Sequence, residues 1–88
     1  MRHASARTLR QLSNLLEQIR ERPGLKEKKL GIFYRKSKSF LHFHEDPSGC
    51  FADLKLDGDF QRFGVTTPAE RKAFMATARL AVAATQKR

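Results

Sequence analysis

The stretch SFLHFHEDPSGCFADLKL, residues 39–56, decides the fold. In its first half apolar and polar residues alternate with a period of two, the mark of a strand with one face buried: Leu41 and Phe43 point one way, Phe40, His42 and His44 the other. Asp46, Pro47, Ser48 and Gly49 then supply turn chemistry, since proline presets the backbone at the second turn position and glycine relieves the exit. A hairpin results. With those four residues as its loop, Glu45 faces Cys50, and stepping outward pairs His44 with Phe51, Phe43 with Ala52, His42 with Asp53 and Leu41 with Leu54. One face collects Leu41, Phe43, Ala52, Leu54 and Leu56, and the other Phe40, His42, His44, Phe51, Asp53 and Lys55.

Outward from the hairpin the elements fall in order. Leu30 to Arg35, with Ile32, Phe33 and Tyr34, reads as a preceding strand joined by a basic turn, Lys36 to Lys38, and Lys26 to Lys29 reads as a charged connector before it. On the far side, Asp57 and Gly58 lead to a fourth strand near Phe60 to Val65. A two-residue loop there sets Gln61 opposite Leu54 on the core face, so a bulge at Gly58 or Asp59 is an equal alternative. Leu9, Leu12, Leu15, Leu16 and Ile19 put an apolar stripe on a first helix that ends before Pro23 and starts at Thr8 or Ser5. Thr67, Pro68 and Glu70 spell the start of a final helix, with Phe74, Met75, Ala78, Ala81 and Val82 on its inner face. The expected fold class is α+β: one small domain over residues 1–88, helix, a three- to four-stranded antiparallel meander and helix, with 1–7 and 85–88 frayed.

The segment FYRKSKSFLHFHEDPSGCFADLKL resembles small uncharacterised bacterial proteins that share a strand, a His-x-His-Glu-Asp-Pro turn and a Phe-Ala-Asp strand. More remotely, the order of elements is similar to that of YjbR-type and TfoX N-terminal-type small domains. The first resemblance implies the hairpin and the second the topology; neither implies an activity or a site residue.

Composition narrows the function classes. The chain has 88 residues, a net charge of +9 and a charged fraction of 31%, and its longest uncharged apolar stretch is far below the roughly 20 residues of a membrane span. No leader-like apolar run follows Met1, and Cys50 has no partner for an internal disulfide, so a cytoplasmic, membrane-free protein is expected. Charge is segregated: residues 1–38 carry eleven Lys or Arg against three acids, residues 39–70 two against six, and residues 71–88 five against none. With two cationic ends around an acidic middle, attraction to a polyanion competes with attraction between the protein's own segments.

Two constellations compete as sites. Lys26, Lys28, Lys29, Arg35, Lys36 and Lys38 cluster around the first strand, and Phe40 and Phe51 lie on a sheet face beside Lys55. Cations hold phosphates while aromatics on a sheet stack unpaired bases, so this pattern points to nucleic acid, although the RNP consensus is missing. His42, His44 and Asp53 share a face and offer imidazole and carboxylate ligands for a divalent metal, or an acid/base pair. They form a partial ligand set with no recognised zinc spacing, and the plainer reading is a hydrogen-bonded surface group. His3 is too remote in sequence to be added. Alternation sets Cys50 on the face opposite the imidazoles, against a Cys/His dyad, and no phosphate loop, nucleophile elbow or dinucleotide fingerprint occurs, so no cofactor and no catalytic residue is expected. Large aromatics on the non-core face need a cover, which the final helix, a homodimer partner or a ligand would supply.

The leading expectation is thus a non-catalytic binding module with a basic face for an anionic partner, nucleic acid favoured. The alternative is a ligand, metal or acid/base site on the face carrying His42, His44 and Asp53.

Overall fold

The hairpin is the centre of a six-stranded antiparallel sheet. The computed structural model describes residues 2–86, the last three through their backbone alone. The elements run β1 (Arg2–His3), α1 (Ala6–Gln11), α2 (Ser13–Arg20), β2 (Lys26–Lys29), β3 (Ile32–Arg35), β4 (Lys38–Asp46), β5 (Gly49–Leu56), β6 (Asp59–Gly64) and α3 (Pro68–Gln86). Strands β2 to β6 lie in sequence order, and β1 pairs with the end of β4 that β3 leaves free. The α+β meander with its flanking helices is as expected.

Register in the central hairpin follows the sequence pattern: Leu41 pairs with Leu54, His42 with Asp53, Phe43 with Ala52, His44 with Phe51 and Glu45 with Cys50. The two-residue turns at Lys36–Ser37 and Asp57–Gly58 both hold positive φ at both positions, the hand that matches the twist of the strands they join. The second turn needs no bulge: Leu56 faces Asp59, and Leu54 faces Gln61. Gln61 tolerates this because β6 is the sheet margin and its side chain stays in water.

A bulge does occur, one strand earlier. Phe33 pairs with Leu41 but Tyr34 pairs with Ser39, so Phe40 is the extra residue on β4. An inserted residue interrupts the alternation, and Phe40 and Leu41 both turn inward, 4% and 1% exposed. Phe40 therefore leaves the imidazole face to which period-two counting assigns it, and its demand for an external cover disappears.

All three helices pack on one face. Leu9, Leu12, Leu15, Leu16 and Ile19 from α1 and α2, with Phe74, Met75, Ala78 and Val82 from α3, form one core with Phe33, Phe40, Leu41, Phe43, Ala52 and Leu54. At roughly 1.5–3 kcal/mol for each fully buried large side chain, this cluster is the main stabilising contribution. The first helix is split: Leu12 has φ −96° and ψ 13°, and its N–H is shared between the carbonyls of Thr8 and Leu9. Ser5 caps it, its hydroxyl accepting from the Thr8 N–H. At α3 the capping box forms as its sequence spells: the Thr67 hydroxyl accepts from the Glu70 N–H, and the Glu70 carboxylate accepts from the N–H groups of Thr66 and Thr67.

The ends differ from expectation. Arg2 and His3 pair with Glu45 and His44, and the Ala4 N–H donates to the Phe43 carbonyl, so residues 2–7 are strand and helix start, while Met1 lies outside the described residues. Of residues 85–88, the first two continue α3 and 87–88 lie outside the described residues. Lys26 to Lys29 is likewise a strand and not a connector. No helix among the described residues is long and apolar enough to cross a membrane.

Glu45 ties the first segment to the hairpin. Its carboxylate accepts from the Ser5 N–H at 2.6 Å and from Arg2 at 3.2 Å. The Ser5 bond, then that from Thr8, lower its pKa from 4.5 to about 2. Because the folded value lies below the unfolded one, this contribution to stability is full above pH 4.5 and is lost as pH falls towards 2. The Glu45 carboxyl carbon should titrate by NMR with a midpoint near 2, and Glu45→Gln should flatten the acid limb of the stability profile. A midpoint in the ordinary glutamate range would show that the Ser5 bond is not kept.

Candidate functional site

With every described helix on one side, no described element covers the other side of the sheet, and cross-strand register lays it out in rows. One row runs Lys29, Ile32, His42, Asp53, Arg62; a second runs His3, His44, Phe51, Gly64; a third joins Lys26 to Tyr34 and Ser39. Lys55 pairs with Phe60 on the same face. The Lys28 ammonium lies 4.6 Å from the Tyr34 ring centre and that of Lys55 lies 5.6 Å from the Phe60 ring centre, which holds each cation beside an aromatic platform. Phe60 is 42% exposed.

Lys26, Lys28, Lys29, Lys55 and Arg62 thus stand on this face among the described residues. Its carboxylates are Asp53, paired to Arg62, and Asp46, turned onto the N–H and hydroxyl of Ser48. The face is net cationic. Of the other basic residues singled out in the sequence, Lys36 and Lys38 are exposed at the β3–β4 turn, away from the centre of the face. Arg35 does not belong to the surface. It shares the helix-covered side with Phe33, is 9% exposed, and its Nη1 is buried with no hydrogen-bond partner among the described residues. On an alternating strand that begins Ile32, Phe33, Tyr34, position 35 falls inside whatever residue type fills it.

At the middle of the face three side chains converge. His42 Nδ1 and His44 Nε2 are 2.9 Å apart, His44 Nε2 is 3.2 Å from Asp53 Oδ2, and His42 Nδ1 is 3.9 Å from the same oxygen. Arg62 donates from Nε to Oδ1 and from Nη2 to Oδ2, both at 2.8 Å. This fork lowers the Asp53 pKa against the opposing effect of burial and keeps the carboxylate ionised. Burial, then the neighbouring His44, pushes His42 below the ordinary histidine value, with Asp53 acting in the opposite sense. His3 stacks on His44, ring centres 4.8 Å apart and planes at 26°, and Phe60 lies 4.9 Å from the His42 ring.

Register brings His42, His44 and Asp53 together as counted from the hairpin, and Phe51 is beside His44, half-buried. Phe40 is in the core. Three participants escape a reading of the hairpin alone. Arg62 was within reach, because the two-residue Asp57–Gly58 loop that aligns Gln61 with Leu54 also aligns Arg62 with Asp53. Phe60 follows from the same register. His3 carries no local signal, since nothing in a two-residue strand names its partner.

Cys50 packs against the core on the opposite side, and burial raises its thiol pKa, which leaves it a poor nucleophile. Comparison with known proteins returns nothing: no family model, no curated protein and no solved structure matches this chain.

Proposed function

We propose that this chain is a non-catalytic binding module that holds single-stranded nucleic acid on the uncovered face of its sheet. One observation carries the reading. All helices pack on the other side, and the bare face combines five cations with the aromatic rings of Tyr34, Phe51 and Phe60. Cations on a sheet margin attract phosphates, and flat side chains between them accept unstacked bases at about 1–3 kcal/mol each. A duplex hides those base faces, so single strands bind more tightly than duplex of the same length.

The test is a titration of fluorescent single-stranded DNA, single-stranded RNA and duplex DNA with the protein, read by anisotropy at low and physiological salt, with amide shifts mapped in parallel. Binding should weaken as salt rises, with a log–log slope of about −0.7 per phosphate held, and the shifts should fall on β2, β5 and β6. Absence of amide shifts at low salt, or shifts confined to α1, α2 and α3, would end the proposal.

A further inference from the structure

We propose that His42, His44 and Asp53 form a three-ligand site for a divalent first-row transition ion, zinc the best suited. It is independent of nucleic-acid binding.

The separations of 2.9, 3.2 and 3.9 Å place His42 Nδ1, His44 Nε2 and Asp53 Oδ2 on a circle of radius about 2.0 Å. A tetrahedral zinc ion with bonds of 2.0–2.1 Å draws three of its ligand atoms onto a circle of about 1.9 Å radius. An ion at bonding distance from all three atoms sits close to their plane; the 2.9 Å and 3.9 Å separations narrow one ligand angle and widen another relative to the tetrahedral value, a distortion that side-chain rotation relieves.

Proton bookkeeping points the same way. If His44 Nε2 carries a hydrogen, that one proton faces both the His42 nitrogen and the Asp53 oxygen. If His42 Nδ1 carries it, the bare His44 nitrogen is turned towards a carboxylate oxygen at 3.2 Å. Either tautomer leaves lone pairs crowded around a common centre, and a cation satisfies all three at once.

Support from the surroundings is in place. Arg62 grips Asp53 through both oxygens while a carboxylate has lone pairs to spare, and such an outer hydrogen bond orients a metal-binding carboxylate. His3 and Phe60 lie against the two imidazole rings, and adjacent strands hold the ligands in register. Two nitrogens and one oxygen suit zinc or cobalt; magnesium and calcium are hard cations that favour oxygen ligands over imidazole nitrogen.

The experiment titrates the chain with zinc by calorimetry and with cobalt by visible absorption, and records ring-nitrogen shifts by NMR on adding zinc. Expected are one ion per chain, the intense cobalt bands of four- or five-fold coordination, and shifts at His42 Nδ1 and His44 Nε2. His42→Gln, His44→Gln and Asp53→Asn should each weaken zinc by about tenfold or more, whereas His3→Ala should change it by less than about threefold. The proposal is overturned if neither ion binds stoichiometrically at micromolar concentration, or if zinc leaves the His42 and His44 rings unshifted. It is equally overturned if His3→Ala alone abolishes binding. The ring shifts of the unmodified chain decide the matter even where a variant fails to fold.

Discussion

Replacing Phe40 with alanine is expected to lower the unfolding free energy by about 3–5 kcal/mol, the range for emptying a fully packed phenylalanine site. Counted by alternation alone, Phe40 would stand beside His42 on the open face, and the substitution would then fall within roughly 0.5 kcal/mol of neutral, as surface changes do. The bulge separates the two cases. It seats Phe40 next to Leu41 under the helices, where truncation leaves a cavity lined by rigid strands. Small domains have only about 5–15 kcal/mol in hand, so the variant should lose about a fifth of its stability at the least. Phe60→Ala is the matched control, since Phe60 is a phenylalanine that does stand on the open face. Urea unfolding of both, at constant slope, checks the point: near-equal midpoints would place Phe40 outside the core.

The second large effect concerns binding. Reversing Lys26, Lys28 and Lys55 to glutamate should reduce single-strand affinity by about two orders of magnitude or more at physiological salt. Each lysine lost removes a phosphate contact and its released counterion, and each glutamate gained repels the backbone in its place. The log–log salt slope should flatten by about 0.7 for each contact removed. Lys26 and Lys28 are exposed, and Lys55 shares an open-face row with Phe60, so folding should survive, as circular dichroism would verify. An unchanged affinity in a folded triple variant contradicts the proposed face. Reversal of Lys72 and Arg79, exposed on α3, gives the comparison, and should cost far less.

What could be read in advance divides along a physical line. The β4–β5 hairpin was legible because its information is local: a period of two, a proline-glycine turn and five cross-strand pairs that follow by counting. The helix cap at Thr67 was legible for the same reason. The Phe40 bulge was not, because it arises from pairing with β3, a relation between strands that no single stretch encodes. Strand β2 was hidden differently. Lys26, Glu27, Lys28 and Lys29 show no apolar alternation, since Glu27 turns to Arg20 and the lysines to water, and only its neighbour makes it a strand. At the imidazole cluster the three residues from the hairpin are visible in its alternation, while among those from outside it His3 and Arg62 are not. The first lacked any local cue, and the second depended on choosing between two turns that Gln61 made equally awkward.

Strand β2 has one more consequence. It is an outer margin of the sheet, and no other described strand pairs with its far edge. A second copy approaching through the same margin would bring lysine against lysine, so growth of the sheet by self-addition, the route to fibres, is opposed by the charges already in place.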